Sequence, residues 1–284
     1  MKNWIWVLVV LSFACKKYEV NTVPGNNPPS DPTISNEIKN NYINRLYIKL
    51  LDRKADSIEH QTALNLLNEA PSSQAKRKEV IELIKNDPAY YHVLWKEIRE
   101  LLLDGSDTSD INETYTELKE DWQNASGNAK DQLEYEWKRM EKLLNADQKL
   151  ASGEYNWESL QKLSCYNYIY EDLNMGSENY VVAVFQNLIF RYPTIQELDA
   201  GKDMYNGNPA VLFLQAGQTQ QEFLDIFFSS RSYFEGQVLY LFKNEIFRDP
   251  TSQEQDYYTN YYLNAGDFES LYFEVLSSEI YFNQ

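Results

Sequence analysis

Apolar side chains recur every three or four residues along most of this chain, the spacing of one buried helix face. Over 36–53 the stripe is Ile38, Tyr42, Leu46 and Leu50; over 57–69 it is Ile58, Ala63, Leu66 and Leu67; over 73–85 it is Val80, Ile81 and Ile84. A fourth helix is predicted over 88–103, opening on Pro88, whose fixed φ suits a first turn, and closing at Asp104-Gly105. These four helices make a first lobe, 36–105. Over 112–124 and 129–149 the stripe is carried by Trp122, Tyr135, Trp137, Met140, Leu143 and Leu144 among alternating acids and bases, which suits a charged helical hairpin with one wet face turning at Gly127. With a helix over 157–173 it forms an insertion, 106–177. The pattern then predicts helices over 178–191, 194–206, 219–229, 232–248, 251–264 and 267–278, with a short turn near 209–216, as a second lobe, 178–284. No stretch alternates convincingly as a half-buried strand would, so the expected fold is all-α.

One corner is written twice. Residues 190–197 and 247–254 both read Phe-Arg-x-Pro-Thr-x-x-Glu. Thr194 and Thr251 sit where an N-cap hydroxyl can accept from a free backbone N–H, with Glu197 and Glu254 three residues on. Pro193 and Pro250 stop the preceding helix from running through. Arg53 fits the same frame, with Asp56 as the cap and Glu59 in place of the two later glutamates. An aromatic stands six residues before each arginine (Tyr47, Phe185, Phe242) and Leu51, Ile189 or Ile246 stands two before. The units also end alike, on Tyr90-Tyr91, Tyr233-Phe234 and Tyr281-Phe282 after small polar residues. Three Arg-corner repeats are therefore expected. Recurrence at one corner favours a structural task for Arg53, Arg191 and Arg248, binding helix-end carbonyls or the capping glutamate, over recognition of a carboxylate or phosphate ligand.

These residues, with Leu46-Tyr47-Ile48-Lys49-Leu50-Leu51-Asp52-Arg53 the closest match, resemble the helical repeats of the DUF4214 and DUF1549 families and, more distantly, the phycobilisome linker domain. The resemblance covers about two-thirds of the chain. It departs at Phe190 and Phe247, where a glycine is commoner in those families, and 92–178 belongs to no obvious unit. It implies an all-α scaffold without a defined catalytic site.

Residues 1–14 place Lys2 before a short apolar run, too short for a permanent span but suited to a signal peptide. Leu11-Ser12-Phe13-Ala14-Cys15 resembles a bacterial lipobox, of the style found in Bacteroidota, which implies cleavage before Cys15 and lipidation of its thiol. An ordinary signal peptide with an incidental cysteine is the alternative. Residues 15–35 read as a polar, proline-rich tether. The expected location is the outer membrane, anchored by the N-terminal lipid alone, with the periplasmic and extracellular faces both open.

The formal charge is −17, and removing 1–14, which holds one lysine and no acid, makes it −18. So acidic a chain lacks the basic surface that nucleic acid requires. Cys165 is the only cysteine besides Cys15 and reads as a buried apolar residue. His60 and His92 are the only histidines and have no metal-ligand spacing, so no zinc site, no other metal and no cofactor is expected. Asp104, Asp107 and Asp110 have a calcium-like rhythm, but the glycine at the sixth place and the closing glutamate are missing, which makes a polar turn the better reading. No nucleophile motif or phosphate loop occurs.

Four tyrosines, Tyr257, Tyr258, Tyr261 and Tyr262, crowd one predicted helix and cannot all face one core stripe. Exposed tyrosine stacks on sugars and anchors protein contacts, although each ring can also pack at the helix boundary with its hydroxyl wet. The expectation is a non-enzymatic, lipid-anchored envelope protein, the scaffold or binding subunit of an outer-membrane or surface assembly with an envelope protein as partner. The alternative is a surface lipoprotein that binds polysaccharide through exposed Tyr and Trp. An enzyme ranks third.

Overall fold

The Ser35 hydroxyl accepts from the Ile38 N–H and starts the first helix. The computed structural model describes residues 35–284. The expected signal peptide, the lipidation of Cys15 and all of the tether but Ser35 lie outside the described residues.

The helices run α1 Asn36–Leu51, α2 Ser57–Glu69, α3 Gln74–Lys85, α4 Ala89–Leu102, α5 Thr108–Asn124, α6 Asn128–Glu141, α7 Ala146–Ala151 and α8 Trp157–Cys165. They continue α9 Tyr168–Leu173, α10 Ser177–Ile189, α11 Ile195–Tyr205, α12 Gln220–Phe228, α13 Arg231–Leu241, α14 Ser252–Ala265, α15 Phe268–Leu276 and α16 Glu279–Phe282. Among the described residues the fold is all-α but for one hairpin, β1 Ala210–Leu212 and β2 Gln215–Gly217, antiparallel with Leu212 opposite Gln215.

The departures from the periodic reading have local causes. The turn expected near 209–216 is that hairpin. The helix expected over 129–149 ends at Glu141 and resumes at Ala146, after Asn145 takes a left-handed φ of 55°. The helix expected over 157–173 breaks at Asn167, which caps α9 by accepting from the Tyr170 N–H. The helix over 232–248 keeps its length, but Phe242–Ile246 winds as a π-helical turn. The hairpin of α5 and α6 forms as expected, with Gly127 at φ 61° between them and Trp122 edge-on to Trp137 at 5.7 Å. The calcium-like aspartates make a cap instead: Asp107 accepts from the Ser109 and Asp110 N–H groups, and Asp110 accepts from the Asp107 N–H.

Residues 35–284 pack as one unit, so the segments of the two expected lobes and the insertion share a single core. Buried polar contacts cross it. Tyr42 of α1 donates to the Leu276 carbonyl at 3.1 Å, and Arg77 of α3 donates to the Ser277 carbonyl at 2.6 Å, joining the first helices to the last. Gln237 of α13 accepts from the Trp157 indole at 3.0 Å and donates to the Leu188 carbonyl at 3.2 Å, tying α8 and α10 to α13. Cys165 is fully buried.

Candidate functional site

Each arginine corner forms the same closed set of contacts. Arg53 meets Glu59 through two nitrogens at 2.6 and 2.7 Å, Arg191 meets Glu197 at 2.7 and 2.8 Å, and Arg248 meets Glu254 at 2.6 and 2.8 Å. Each guanidinium also donates to the carbonyl of the next residue, Lys54, Tyr192 or Asp249. Each lies over the aromatic six residues back, with 5.7 Å to Tyr47, 5.2 Å to Phe185 and 5.3 Å to Phe242. The glutamate closes a capping box with Asp56, Thr194 or Thr251, so one side chain caps a helix and grips the arginine. Pro193 and Pro250 stand directly before the capping threonines.

The electrostatics follow. The Arg53 guanidinium and the Asp56 N–H hold Glu59 down at about 2, and the Arg248 guanidinium with the Thr251 N–H and hydroxyl holds Glu254 at about 2. Burial pushes Glu197 up, but Arg191 and Thr194 outweigh it and its carboxyl is lowered. Arg53 also binds Asp87 at 2.7 Å, a contact without a counterpart at the other two corners. The terminal nitrogens of all three guanidiniums are occupied inside the corner, as a helix joint requires. The residue before each arginine explains the odd phenylalanines: Asp52, Phe190 and Phe247 end their helices with φ of 54°, 57° and 58°, the left-handed conformation glycine takes most cheaply.

The tyrosine cluster divides between core and surface. Tyr258 and Tyr262 are buried, Tyr261 is half-buried, and Tyr257 alone is exposed, donating to Glu274 at 3.2 Å. The four rings therefore do not form one exposed platform.

A groove of about 450 Å³ lies where α4, α8 and α15 meet, lined by Tyr91, Tyr155, Trp157, Glu158 and Glu269 among others. Trp157 is stacked on Phe268 with ring centroids 4.3 Å apart and is buried, which leaves Tyr91 and Tyr155 as the groove's more accessible rings. Burial pushes Glu158 up, partly offset by donation from the Tyr262 hydroxyl and the Phe268 N–H.

The feature that periodicity missed is the tip of the β-hairpin. Its two-residue loop is Phe213-Leu214, with φ of 49° and 65°. A two-residue loop with both φ positive is the type I′ geometry that Asn-Gly satisfies, and each branched or bulky residue there costs about 1 kcal/mol or more. Phe213 has a packing reason, since its ring lies 6.2 Å from those of Phe185 and Phe227. Leu214 has none among the described residues: it is 97 % exposed, and Val211 beside it is 61 % exposed. The sequence signal was available in two adjacent apolar residues inside a segment otherwise read as a turn.

No protein-family model, no curated protein and no solved structure matches this chain.

Proposed function

We propose that this chain is a non-enzymatic, lipid-anchored envelope protein that acts as a binding subunit or scaffold, with the Phe213-Leu214 hairpin as its contact with a partner protein. The observation that carries the reading is Leu214, a fully presented apolar side chain held on a strained backbone position where glycine would be cheaper. Burying a leucine in a partner's apolar pocket yields about 2 kcal/mol, enough to offset the local strain and to make the tip an anchor residue. Phe213, packed against the core, fixes the direction in which Leu214 points. The lipobox-like start and polar tether support attachment to the outer membrane by the N-terminal lipid.

The test is a photo-crosslinking amino acid placed at Leu214 or, as control, at exposed Glu120, in cells carrying the full chain with Cys15 or with Cys15→Ala. Recovery of one protein in fixed proportion, from position 214 only and with Cys15 intact, is the expected result. Leu214→Gly should abolish the cross-linked contact's stable counterpart in a pull-down while leaving the melting temperature equal or higher. Equal labelling from both positions sinks the reading.

Carbohydrate binding is the second reading, favoured by the groove of Tyr91 and Tyr155 with flanking carboxylates and amides. Saturable binding of a soluble polysaccharide that Tyr91→Ala and Tyr155→Ala both weaken, and Leu214→Gly does not, would place recognition there instead.

A further inference from the structure

The cavity between α1, α4 and the π-helical turn is separate from the hairpin and from the corner contacts. It encloses about 350 Å³. Its wall is largely apolar, with Ile48, Val93 and the exposed ring of Phe247 facing it. Four carboxylates, Asp52, Glu97, Glu100 and Glu245, face three cations, Arg45, Lys49 and Lys96. Each cation is engaged. Lys96 pairs with Asp52 at 2.7 Å, Arg45 donates to the Tyr281 carbonyl, and Lys49 sits 2.9 Å from both Glu97 and Glu245. Two carboxylates thus share one ammonium, and Glu100 has no cation within ion-pair distance among the described residues.

Glu245 is the decisive group. Its side chain is 3 % exposed, yet it borders the cavity. Its Oε1 lies 2.9 Å from the Lys49 ammonium, which Glu97 shares, and no further donor reaches that atom among the described residues. The π-helical turn places it there, a distortion that costs regular hydrogen bonding and is frequent at functional sites. Burying an ionised carboxylate without full pairing is costly, so the arrangement favours a further positive charge.

We propose that this cavity binds a small organic cation, an ammonium carried on an apolar body, with the positive head beside Glu245 and Glu97 and the body against Phe247, Ile48 and Val93. An anion of the same size would meet cations already occupied and an excess of carboxylate. A neutral molecule would leave the Glu245 oxygen as it is.

Proton and ligand compete for the same place. Burial pushes Glu245 up to about 7, opposed by Lys49 and reinforced by Glu97. Of the groups packed around it, Tyr240, Tyr272 and Tyr281 are all pushed up by burial, and Lys49 is raised by its two carboxylates against the pull of burial. The cation should therefore bind more tightly as Glu245 ionises.

Calorimetric titration of the full chain with phenethylammonium, 2-phenylethanol and phenylacetate tests this. Phenethylammonium should saturate one site and bind at least about tenfold more tightly than the other two, the size of a charge-assisted contact. Its affinity should rise about tenfold from about pH 6 to about pH 8, following the ionised fraction of a carboxyl titrating near 7 while the amine stays protonated. Glu245→Gln should remove most of that gain and flatten the pH dependence. Phe247→Ala, at a 78 % exposed ring that the fold does not need, should weaken binding several-fold with the melting temperature unchanged. Equal or tighter binding of the alcohol or the acid, absence of saturation, or insensitivity to both substitutions overturns the proposal.

Discussion

A single glutamate does two tasks at each corner, and its titration should report both. Glu254 takes two bonds from Arg248 and accepts from the Thr251 N–H and hydroxyl. Its folded value of about 2 lies below the ordinary carboxyl near 4.3 in the unfolded chain. A lowered carboxyl contributes stability that is full above the unfolded value and is lost as pH falls toward the folded one. Glu254→Gln is therefore expected to cost about 1 kcal/mol at neutral pH, the ordinary worth of a capping contact with a surface ion pair. That cost should shrink between about pH 4.5 and about pH 2. Urea melts of both proteins across that range check it, and a difference independent of pH would refute the account. The corner was legible in the sequence because its partners are six residues apart and repeat. The cavity around Glu245 was not, because it gathers residues from Arg45 to Gln284, and nothing local in the chain announces that meeting.

Helices were legible as elements, and their interruptions were not, for one physical reason. The apolar rhythm of 157–173 continues through Tyr166-Asn167, so periodicity sees one helix, while the Asn167 side chain offers the Tyr170 N–H a competing partner and starts another. The hairpin escaped because strands of three residues are too short to show alternation and its turn lacks the expected Asn-Gly. Where two helices cross, the decisive residue is a glycine. Gly236 of α13 faces α10 so closely that a Cβ would lie 2.8 Å from the Ile189 Cα and closer still to the Leu188 carbonyl oxygen. Alanine would gain about 1 kcal/mol of helix propensity but must push the backbones apart, at a cost of about 3 kcal/mol for overpacking. Gly236→Ala is thus expected to destabilise by about 2 kcal/mol despite its better propensity, because the crossing term is the larger. The bond from Gln237 to the Leu188 carbonyl, 3.2 Å at the same crossing, should lengthen with it. Chemical denaturation measures the loss; a more stable variant would mean that the helices can separate freely.

At the scale of the molecule, the first and last helices hold one another, and this decides how the chain should unfold. Arg77 of α3 is 1 % exposed. Its Nε donates to the Ser277 carbonyl at 2.6 Å, a terminal nitrogen reaches Glu279 at 2.7 Å, and its guanidinium carbon lies 4.8 Å from the centre of the Phe282 ring. Tyr42 adds a second bond to the same end of the chain at the Leu276 carbonyl. Residues two hundred apart in sequence are thereby part of one core, and the aromatic pair Tyr281-Phe282 is packed against α1: Tyr42 is edge-on to Phe282 at 4.9 Å. Lobes and insertion defined by sequence segments would unfold in separate steps if each had its own core, whereas a shared core couples them. Melting followed by far-UV and near-UV circular dichroism should therefore give coincident midpoints. Arg77→Met keeps the length and apolar stem of the side chain but strands the Ser277 carbonyl, a loss of about 2 kcal/mol that lowers the midpoint by about 4 °C in a chain of this size. The transition should stay single, since the substitution weakens the seam without giving either side a core of its own. A variant that melts in two steps, with the first confined to the helices before Asp104, would show instead that the seam, and not a continuous core, is what joins the first helices to the rest.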